Sequence, residues 1–269
     1  MEYEPIFQYS QPDQYETSVG VTLDNYARQW VKCLKCGFFY SRFSRDPFIL
    51  GNIYSETYRE KGQSWRSKTT EEIFYDVLAL PDKQSESKKR VAWLKTAINE
   101  INDQGLIVLE KVGLRMLDIG GGAGVFAHLY SDDLWSAFVV DPASGGKFLE
   151  EKHGINYTQT DYKAGLFEHK FHLISLIYVL EHLTDPAYVL TTVKKDLTQN
   201  GLVFVEVPDA CAFDNLPPED DIFNSCHLWM FEPNSITALF KECGFKILKL
   251  ERGKTFRGHY SLSVIAKAA

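Results

Sequence analysis

The sequence has no hydrophobic run long enough to cross a membrane. A spanning helix needs about 18 or more consecutive apolar residues, and no such run occurs in the 269 residues. Residues 1–18 are acidic and polar, and they lack the basic start and the apolar stretch of a secretory signal. We therefore expect neither a membrane span nor a secretory signal.

An excess of basic charge is also absent. The chain has 29 Lys and Arg against 36 Asp and Glu, which gives a formal net charge of −7. Proteins that bind duplex nucleic acid usually present a basic face to the phosphates. We therefore expect no nucleic-acid partner.

Cysteine is scarce. There are five cysteines, an odd number without the spacing of a disulfide framework, so a reducing, cytoplasmic setting is the simplest interpretation. Only Cys33 and Cys36 form a C-x-x-C pair, and no nearby Cys or His supplies the second pair that a four-ligand zinc site needs. The pair can be a zinc half-site, a redox pair or two small packing residues, and we expect no bound metal.

What the chain does have is enough apolar residues, 45%, for a sizeable core. Its character changes near residue 110. Before that point aromatic residues are dense and strands do not alternate with helices. Residues 54–80 resemble a helix or broken helix, and the stretch 87–103 has apolar residues at helical steps, namely Val91, Leu94, Ile98 and Ile101.

These differences predict three parts. They are an N-terminal segment at 1–50 with the C-x-x-C pair, an aromatic-rich helical lid at 51–110, and a core at 111–269. Tyr54, Tyr58 and Trp65 can cover a cofactor as part of the lid or form the apolar face of a packed helix.

The core alternates between apolar runs and helical stretches. This alternation predicts an α/β fold with a mainly parallel sheet covered on both faces. The last two runs, at 245–250 and in HYSLSVIAKA (259–268), have no helix between them, so they should pair as an antiparallel hairpin. The strands are predicted at 114–119, 136–140, 171–177, 202–207 and 245–250, and the helices at 124–131, 145–153, 186–196 and 233–243.

Four glycines follow the first core strand in LDIGGGAGVF. Glycine at this density allows a tight turn and a close approach of a ligand to the backbone, although a tight turn without a ligand is the alternative. The dinucleotide pattern G-x-G-x-x-G is not met, because Gly120 and Gly122 fit but the third position is Val125, with Gly124 one residue early.

Two acids accompany the loop. Asp118 would repel a pyrophosphate but suits a ligand with an ammonium and a sulfonium group, such as S-adenosylmethionine. Asp141 ends the second strand, where a carboxylate can accept both ribose hydroxyls. The alternative for Asp141 is a helix N-cap.

Together these residues resemble the class I S-adenosylmethionine-dependent methyltransferases. LDIGGGAGVF is similar to their first motif, VVDPAS to the ribose acid, TDYKAG to the adenine segment and FHLISLIYVLEHLTDP to the fourth-strand motif. The resemblance covers roughly residues 112–269 and implies a Rossmann-like seven-stranded sheet. The cofactor residues that it implies are Asp118, Gly120, Gly122, Gly124, Asp141, Asp161, Tyr162 and Tyr58. Asp161 can also be a simple turn residue.

The N-terminal stretch KCLKCGFFYSRFSRDPFILGNIYSETYRE and the later HLWMFEPNS resemble segments of sugar and surface-polysaccharide methyltransferases. Some of these carry an N-terminal zinc module, which this chain matches with only one C-x-x-C. In the sugar C-methyltransferases the histidine of the second stretch is the proposed base, which corresponds to His227.

The resemblance gives three catalytic candidates. His227 is the first candidate for the base, His182 the second, and Tyr178 a candidate orienting partner. Each histidine can instead be structural, packed or capping.

The sequence therefore predicts a methyltransferase that acts on a small molecule, namely a sugar, a nucleotide-linked sugar or a glycan unit. The alternatives are a non-catalytic S-adenosylmethionine-binding subunit and an NAD-dependent oxidoreductase.

Overall fold

The structure is a computed structural model that describes residues 2–24, 26–43, 68–108 and 112–269. Its strands form a seven-stranded sheet and a smaller four-stranded sheet. The strands of the described residues are β1 (Tyr3–Tyr9), β2 (Arg28–Cys33), β3 (Phe39–Phe43), β4 (Leu114–Ile119), β5 (Trp135–Asp141), β6 (Asn156–Gln159), β7 (Phe171–Ile177), β8 (Leu197–Pro208), β9 (Trp229–Met230), β10 (Phe245–Lys254) and β11 (Tyr260–Ala268). The α-helices are α1 (Gln14–Ser18), α2 (Thr70–Leu78), α3 (Glu86–Asp103), α4 (Val125–Tyr130), α5 (Lys147–His153), α6 (Pro186–Val193), α7 (Ala212–Asn215) and α8 (Pro233–Glu242).

The large sheet has the strand order β10-β11-β8-β7-β4-β5-β6. Strands β8, β7, β4, β5 and β6 are parallel, whereas β11 runs antiparallel to both β8 and β10. The predicted α/β fold with a C-terminal antiparallel hairpin is therefore confirmed. Strand β6 was not predicted, because its four residues, NYTQ, form no apolar run.

Both faces of this sheet are buried, since alternate residues of each strand point to opposite sides. Along β4, Met116 packs with the helices α3, α4 and α5 on one face, and Leu117 packs with α6 and α8 on the other. The carboxyl ends of the parallel strands form the edge where α/β sheets bind ligands.

Helix α3 confirms the periodic pattern seen in the sequence. Val91, Leu94, Ile98 and Ile101 are all buried against the large sheet. The helix begins after Ser85, whose hydroxyl accepts the N–H of Lys88 and so satisfies one of the free donors of its first turn. None of the described helices has the length and apolarity that a membrane crossing requires.

The small sheet has the order β1-β2-β3-β9, with every pair antiparallel. The N-terminal segment thus pairs with β9, which follows His227 in the core. Cys33 ends β2 and is buried, while Cys36 lies exposed in the turn before β3. Within the described residues, no third ligand gathers around these two thiols. The three-part division at residues 50 and 110 stays a prediction.

Candidate functional site

A cavity of about 930 Å³ lies at the carboxyl ends of β4, β5, β7 and β8. Its wall includes the strand ends Ile119, Asp141 and Pro208, and Tyr178 directly after β7. The described residues that line the rest come from α3 and α6, from the loops after β4, β5, β6 and β7, and from the segments 221–227 and 255–259. Such a volume is typical of a small-molecule site.

The glycine loop forms one edge of this cavity. Gly120 lines it with φ of +71°, and an added Cβ there would lie 2.7 Å from Cγ2 of Val179. Gly124 has φ of +77°, and its added Cβ would lie 2.5 Å from Cδ1 of the buried Leu149. Gly124 therefore allows α4 to approach α5, and Gly120 allows the loop to lie close to Val179, which follows β7.

Asp118 lies beneath the loop. Its Oδ1 accepts a 2.7 Å hydrogen bond from Ser175, and its Oδ2 lies 2.7 Å from the position of a Cβ on Gly121. Burial raises the pKa of this carboxyl to about 7. Asp118 is not among the described residues that line the cavity. It fills the space that only glycine leaves at position 121, and its predicted contact with the cofactor stays a prediction.

Asp141 lines the cavity and also holds the glycine loop. Its Oδ2 accepts the N–H of Gly122 at 2.8 Å, and its Oδ1 accepts the N–H of Ala143 at 2.8 Å. The alternative N-cap role does not apply, because α5 begins at Lys147 with Gly146 as its N-cap. A carboxylate fixed in this way can present its remaining lone pairs to a ribose.

Two candidates come from the segment after β6. Asp161 and Tyr162 both line the cavity, Asp161 in an exposed position. Tyr162 donates its hydroxyl to Asp196 at 2.7 Å, so its ring rather than its hydroxyl is available to a ligand. Burial raises the pKa of Tyr162 above its ordinary value and keeps the phenol neutral. Tyr58, the remaining cofactor candidate, lies outside the described residues, as do Tyr54 and Trp65.

Tyr178 occupies a strained position directly after β7. Its φ of +54° is the sole positive value at a non-glycine position in the described part of the chain. Its backbone N–H donates to the carbonyl of Glu206 at 2.8 Å, which holds this conformation. Backbone strain of this kind clusters at functional sites. Burial, with the nearby Glu206 carboxylate, raises the pKa of the phenol above its ordinary value.

Sequence reasoning missed the ion pair beside Tyr178. The guanidinium of Arg90 on α3 donates to Glu206 on β8 through Nε at 2.7 Å and Nη2 at 2.6 Å. Both side chains are less than a tenth exposed, and Arg90 lines the cavity. The sequence did contain one indication of this pair: Glu206 is the sole charged residue in the apolar run GLVFVEVP.

The two candidate histidines lie side by side, with ring centres 4.7 Å apart, and both line the cavity. Nδ1 of His182 lies 2.9 Å from the carbonyl of Cys226, and Nδ1 of His227 lies 2.6 Å from the carbonyl of Ile222. A carbonyl only accepts, so each Nδ1 carries the proton and each Nε2 carries the lone pair. Burial lowers the pKa of His182 to about 3 and that of His227 to about 4, so both rings are neutral.

Glu181 was not selected from the sequence, although it stands next to His182 in the same motif. It is completely buried, and neither carboxylate oxygen has a hydrogen-bond partner among the described residues. Its Oε1 lies 3.9 Å from Nε2 of His182. Burial, together with Glu206, raises its pKa well above the ordinary value.

Comparison with known families gives one match, which covers more than half of the chain. Residues 66–250 match the family described as "Methyltransferase domain". No curated protein matches the sequence significantly.

Two solved structures share the fold over most of the chain. One is a Burkholderia thailandensis 1,6-didemethyltoxoflavin-N1-methyltransferase with bound 1,6-didemethyltoxoflavin and S-adenosylhomocysteine, with a TM-score of 0.58, 13% identity, and coverage of 91% of this chain and 96% of the other. The second is a Synechocystis magnesium protoporphyrin IX methyltransferase with bound S-adenosylmethionine, with a TM-score of 0.51, 14% identity, and coverage of 84% and 98%. At sequence identities of 13% and 14%, the similarity to these two structures shows a shared fold and nothing further.

Proposed function

Because this chain belongs to the methyltransferase-domain family, we propose that it transfers the methyl group of S-adenosyl-L-methionine to a sugar, a nucleotide-linked sugar or a surface-glycan unit. The family match confirms the cofactor and the activity class that the sequence predicts. The observation that carries the proposal is a single cavity that joins Gly120 and Asp141 to the histidine pair His182 and His227.

The cofactor half of the cavity is the edge formed by β4, β5 and the segment after β6. Asp141 would accept the ribose hydroxyls, while Gly120 lets the ligand approach the backbone. Asp161 and the ring of Tyr162 stand where they can border the adenine. The hydrogen bonds from Gly122 and Ala143 hold the Asp141 carboxylate in one orientation before the cofactor arrives, which lowers the entropy cost of binding.

The acceptor half contains the histidines and a set of polar side chains. A sugar carries many hydroxyl groups, and its recognition needs several fixed donors and acceptors. The lining supplies such groups, namely Glu86, Arg90, Asp221, Asn224, Arg257 and His259. These side chains can hydrogen-bond the hydroxyls of a sugar, in agreement with the sequence resemblance to sugar methyltransferases, although apolar atoms form the larger part of the lining.

Methyl transfer to an acceptor hydroxyl is a direct displacement. The bond from the acceptor oxygen to the methyl carbon forms while the carbon–sulfur bond breaks, and the electron pair stays on sulfur to give S-adenosylhomocysteine. The hydroxyl proton must go to a base. Nε2 of the neutral His227 is our first assignment, with His182 as the second. Tyr178 is our assignment for the group that orients the acceptor.

Calorimetric titration with S-adenosylmethionine, S-adenosylhomocysteine and NAD tests this proposal. We expect micromolar binding of the first two ligands and none of NAD. Asp141→Ala should weaken binding at least tenfold, because a hydrogen bond to a charged group contributes about 1.5–3 kcal/mol. Asp133→Ala is the matched control, since this aspartate is exposed and does not line the cavity. A folded protein that binds neither sulfur ligand would contradict the proposal.

Acceptor screening follows, with nucleotide sugars as the first panel and S-adenosylhomocysteine formation as the readout. His227→Gln should retain cofactor affinity and lose turnover by at least 100-fold, within the range of general-base contributions. If the wild-type protein binds the cofactor but methylates porphyrins or heteroaromatic nitrogens instead of sugars, the acceptor class is wrong and the activity class stands.

A further inference from the structure

The side chains of Glu181, His182 and His227 lie close together at the cavity. Their ligand atoms all lie within 4.8 Å of one another, and Oε1 of Glu181 lies 3.9 Å from Nε2 of His182. The two imidazoles line the cavity, and the Glu181 carboxylate is buried next to them. Within the described residues, no other cluster of three such groups has this spacing.

The burial of Glu181 and its lack of hydrogen-bond donors among the other described residues point to a positively charged ligand. A carboxylate with no exposed surface and no hydrogen bond has lost its hydration without a replacement, and this is strongly unfavourable unless an opposite charge lies beside it. Among the other described residues, no hydrogen-bond donor reaches either oxygen. The Arg90 guanidinium forms its hydrogen bonds with Glu206 instead. A proton or a cation must therefore neutralise this group.

The histidines have the orientation of metal ligands. In metal sites the second ring nitrogen of a histidine usually donates to a carbonyl or carboxylate, which fixes the ring and its tautomer. His182 and His227 do this with the carbonyls of Cys226 and Ile222. In both residues Nε2 therefore has the lone pair that a cation requires.

We propose that Glu181, His182 and His227 bind one divalent transition-metal cation, with Zn²⁺ as the best match. Two histidines and one glutamate form a known zinc ligand set that leaves a fourth position for water or substrate. Zinc–nitrogen bonds of about 2.0–2.1 Å place ligand atoms about 3.4 Å apart in a tetrahedron. The observed spacing therefore requires small side-chain rotations toward a common centre. Both histidines line the cavity, so a cation between them would be reached from it.

A cation at this position changes the part that the histidines play. A hydroxyl bound to zinc would lose its proton far more readily than a free one. His182 and His227 would then act as ligands, and the proton would pass to water instead of to an imidazole. The cation would also hold the acceptor oxygen at one place. This role in the reaction rests on the proposed function, whereas binding of the cation does not.

Titration of the metal-stripped protein with ZnCl₂ or MnCl₂ tests the proposal. We expect one site per chain with micromolar or tighter affinity for Zn²⁺. Glu181→Gln keeps the shape and removes the charge, and it should weaken binding at least 30-fold. His227→Asn should have a similar effect. His153→Asn is the matched control, because His153 ends α5 and does not line the cavity, so its zinc affinity should equal that of the wild type.

The C-x-x-C pair is a competing zinc ligand, so the titration is repeated in Cys36→Ser. Zinc binding that persists in this variant and is lost in Glu181→Gln identifies the proposed site. The unfolding temperature of the metal-free Glu181→Gln protein is measured beside that of the metal-free wild type. This measurement confirms that the variant is folded when its zinc affinity is compared.

The proposal is overturned if the wild type binds neither cation, or if Glu181→Gln and His227→Asn bind zinc as tightly as the wild type. Calorimetry with S-adenosylmethionine on the same samples separates the two proposals. Cofactor binding without cation binding removes the metal site alone. Cation binding by a protein that ignores the cofactor contradicts the proposed methyltransferase function and leaves the metal site intact.

Discussion

At the scale of single residues, the carboxylates around the cavity differ in how they are stabilised. Asp141 accepts two backbone N–H groups, and Glu206 is paired with Arg90. Asp118 accepts a side-chain hydrogen bond from Ser175, and Glu181 accepts none from any other described residue. The last two carboxyls consequently have raised pKa values.

The Asp118 pKa predicts a pH-dependent stability difference. The folded protein holds this proton up to a pKa of about 7, compared with an ordinary value of 3.8. The group therefore stabilises the fold below about pH 4, and this contribution is lost as the pH rises to 7. Asp118→Asn cannot ionise and can still accept from Ser175. Its free energy of unfolding relative to the wild type should increase between pH 4 and 7, by about 1.4 kcal/mol for each pKa unit.

Urea denaturation at several pH values measures this difference, with Asp133→Asn as the exposed control. A difference between Asp118→Asn and the wild type that stays constant across this pH range would show that Asp118 is not the titrating group.

At the scale of elements, the cavity depends on how closely helices approach the sheet. Gly124 sets the distance between α4 and α5, and the Arg90–Glu206 pair joins α3 to β8. Both contacts lie close to the glycine loop or to Tyr178. Changes at these positions should therefore affect stability and the shape of the cavity together.

Gly124→Ala should destabilise the protein more than Gly154→Ala. Both positions have positive φ, at +77° and +65°, so both substitutions introduce backbone strain of about 1–2 kcal/mol. Gly154 has no atom within 4 Å of the new methyl, whereas Gly124 has the buried Leu149 at 2.5 Å. Overpacking should add about 1–3 kcal/mol at Gly124. Equal losses in urea denaturation would show that Leu149 can move without cost.

Removing Arg90 should be costly because it leaves Glu206 charged and buried. We expect Arg90→Met to lower the free energy of unfolding by about 3–5 kcal/mol. The double variant Arg90→Met/Glu206→Gln should recover part of this loss, because the uncompensated charge is absent. A double-mutant cycle measures the coupling. Additive effects of the two single substitutions would contradict a direct ion pair.

At the scale of the whole molecule, the small sheet supports the histidine side of the cavity. The carbonyl of Phe223 accepts hydrogen bonds from Arg28 at 2.7 Å and from Trp30 at 3.2 Å, both on β2. The preceding carbonyl, that of Ile222, is the partner of His227. The N-terminal strands thus hold the short segment that positions the candidate base or metal ligand.

Trp30→Ala should weaken the small sheet first. Trp30 has no exposed surface, and removal of a buried tryptophan side chain costs about 3–5 kcal/mol. Hydrogen exchange should accelerate in β1–β3 and in residues 222–230, while β4 and β7 keep their protection. Trp30→Phe retains a ring and should show a smaller effect. Uniform loss of protection throughout the chain would indicate that the two sheets unfold as one unit.

The sequence by itself determined most strands of the large sheet and the cofactor, while its site residues stay predictions. The alternating apolar runs predicted β4, β5, β7, β8 and the final hairpin, because strand and helix periodicities are local properties. The charge of Asp118 and the glycine spacing favoured S-adenosylmethionine over a dinucleotide as the ligand. These features are also local, because side-chain charge and backbone φ preferences act over a few residues. His182 and His227 were selected individually, and the structure places both at one cavity.

Only the tertiary structure decided which of these groups meet. The 4.7 Å approach of His182 to His227 and the pairing of Arg90 with Glu206 join residues far apart in the chain, and the first brings His227 to the buried Glu181. The pairing of β3 with β9 is equally non-local. Such contacts arise because burial of the two sheet faces brings distant segments together, and no local pattern in the sequence records which segments those are.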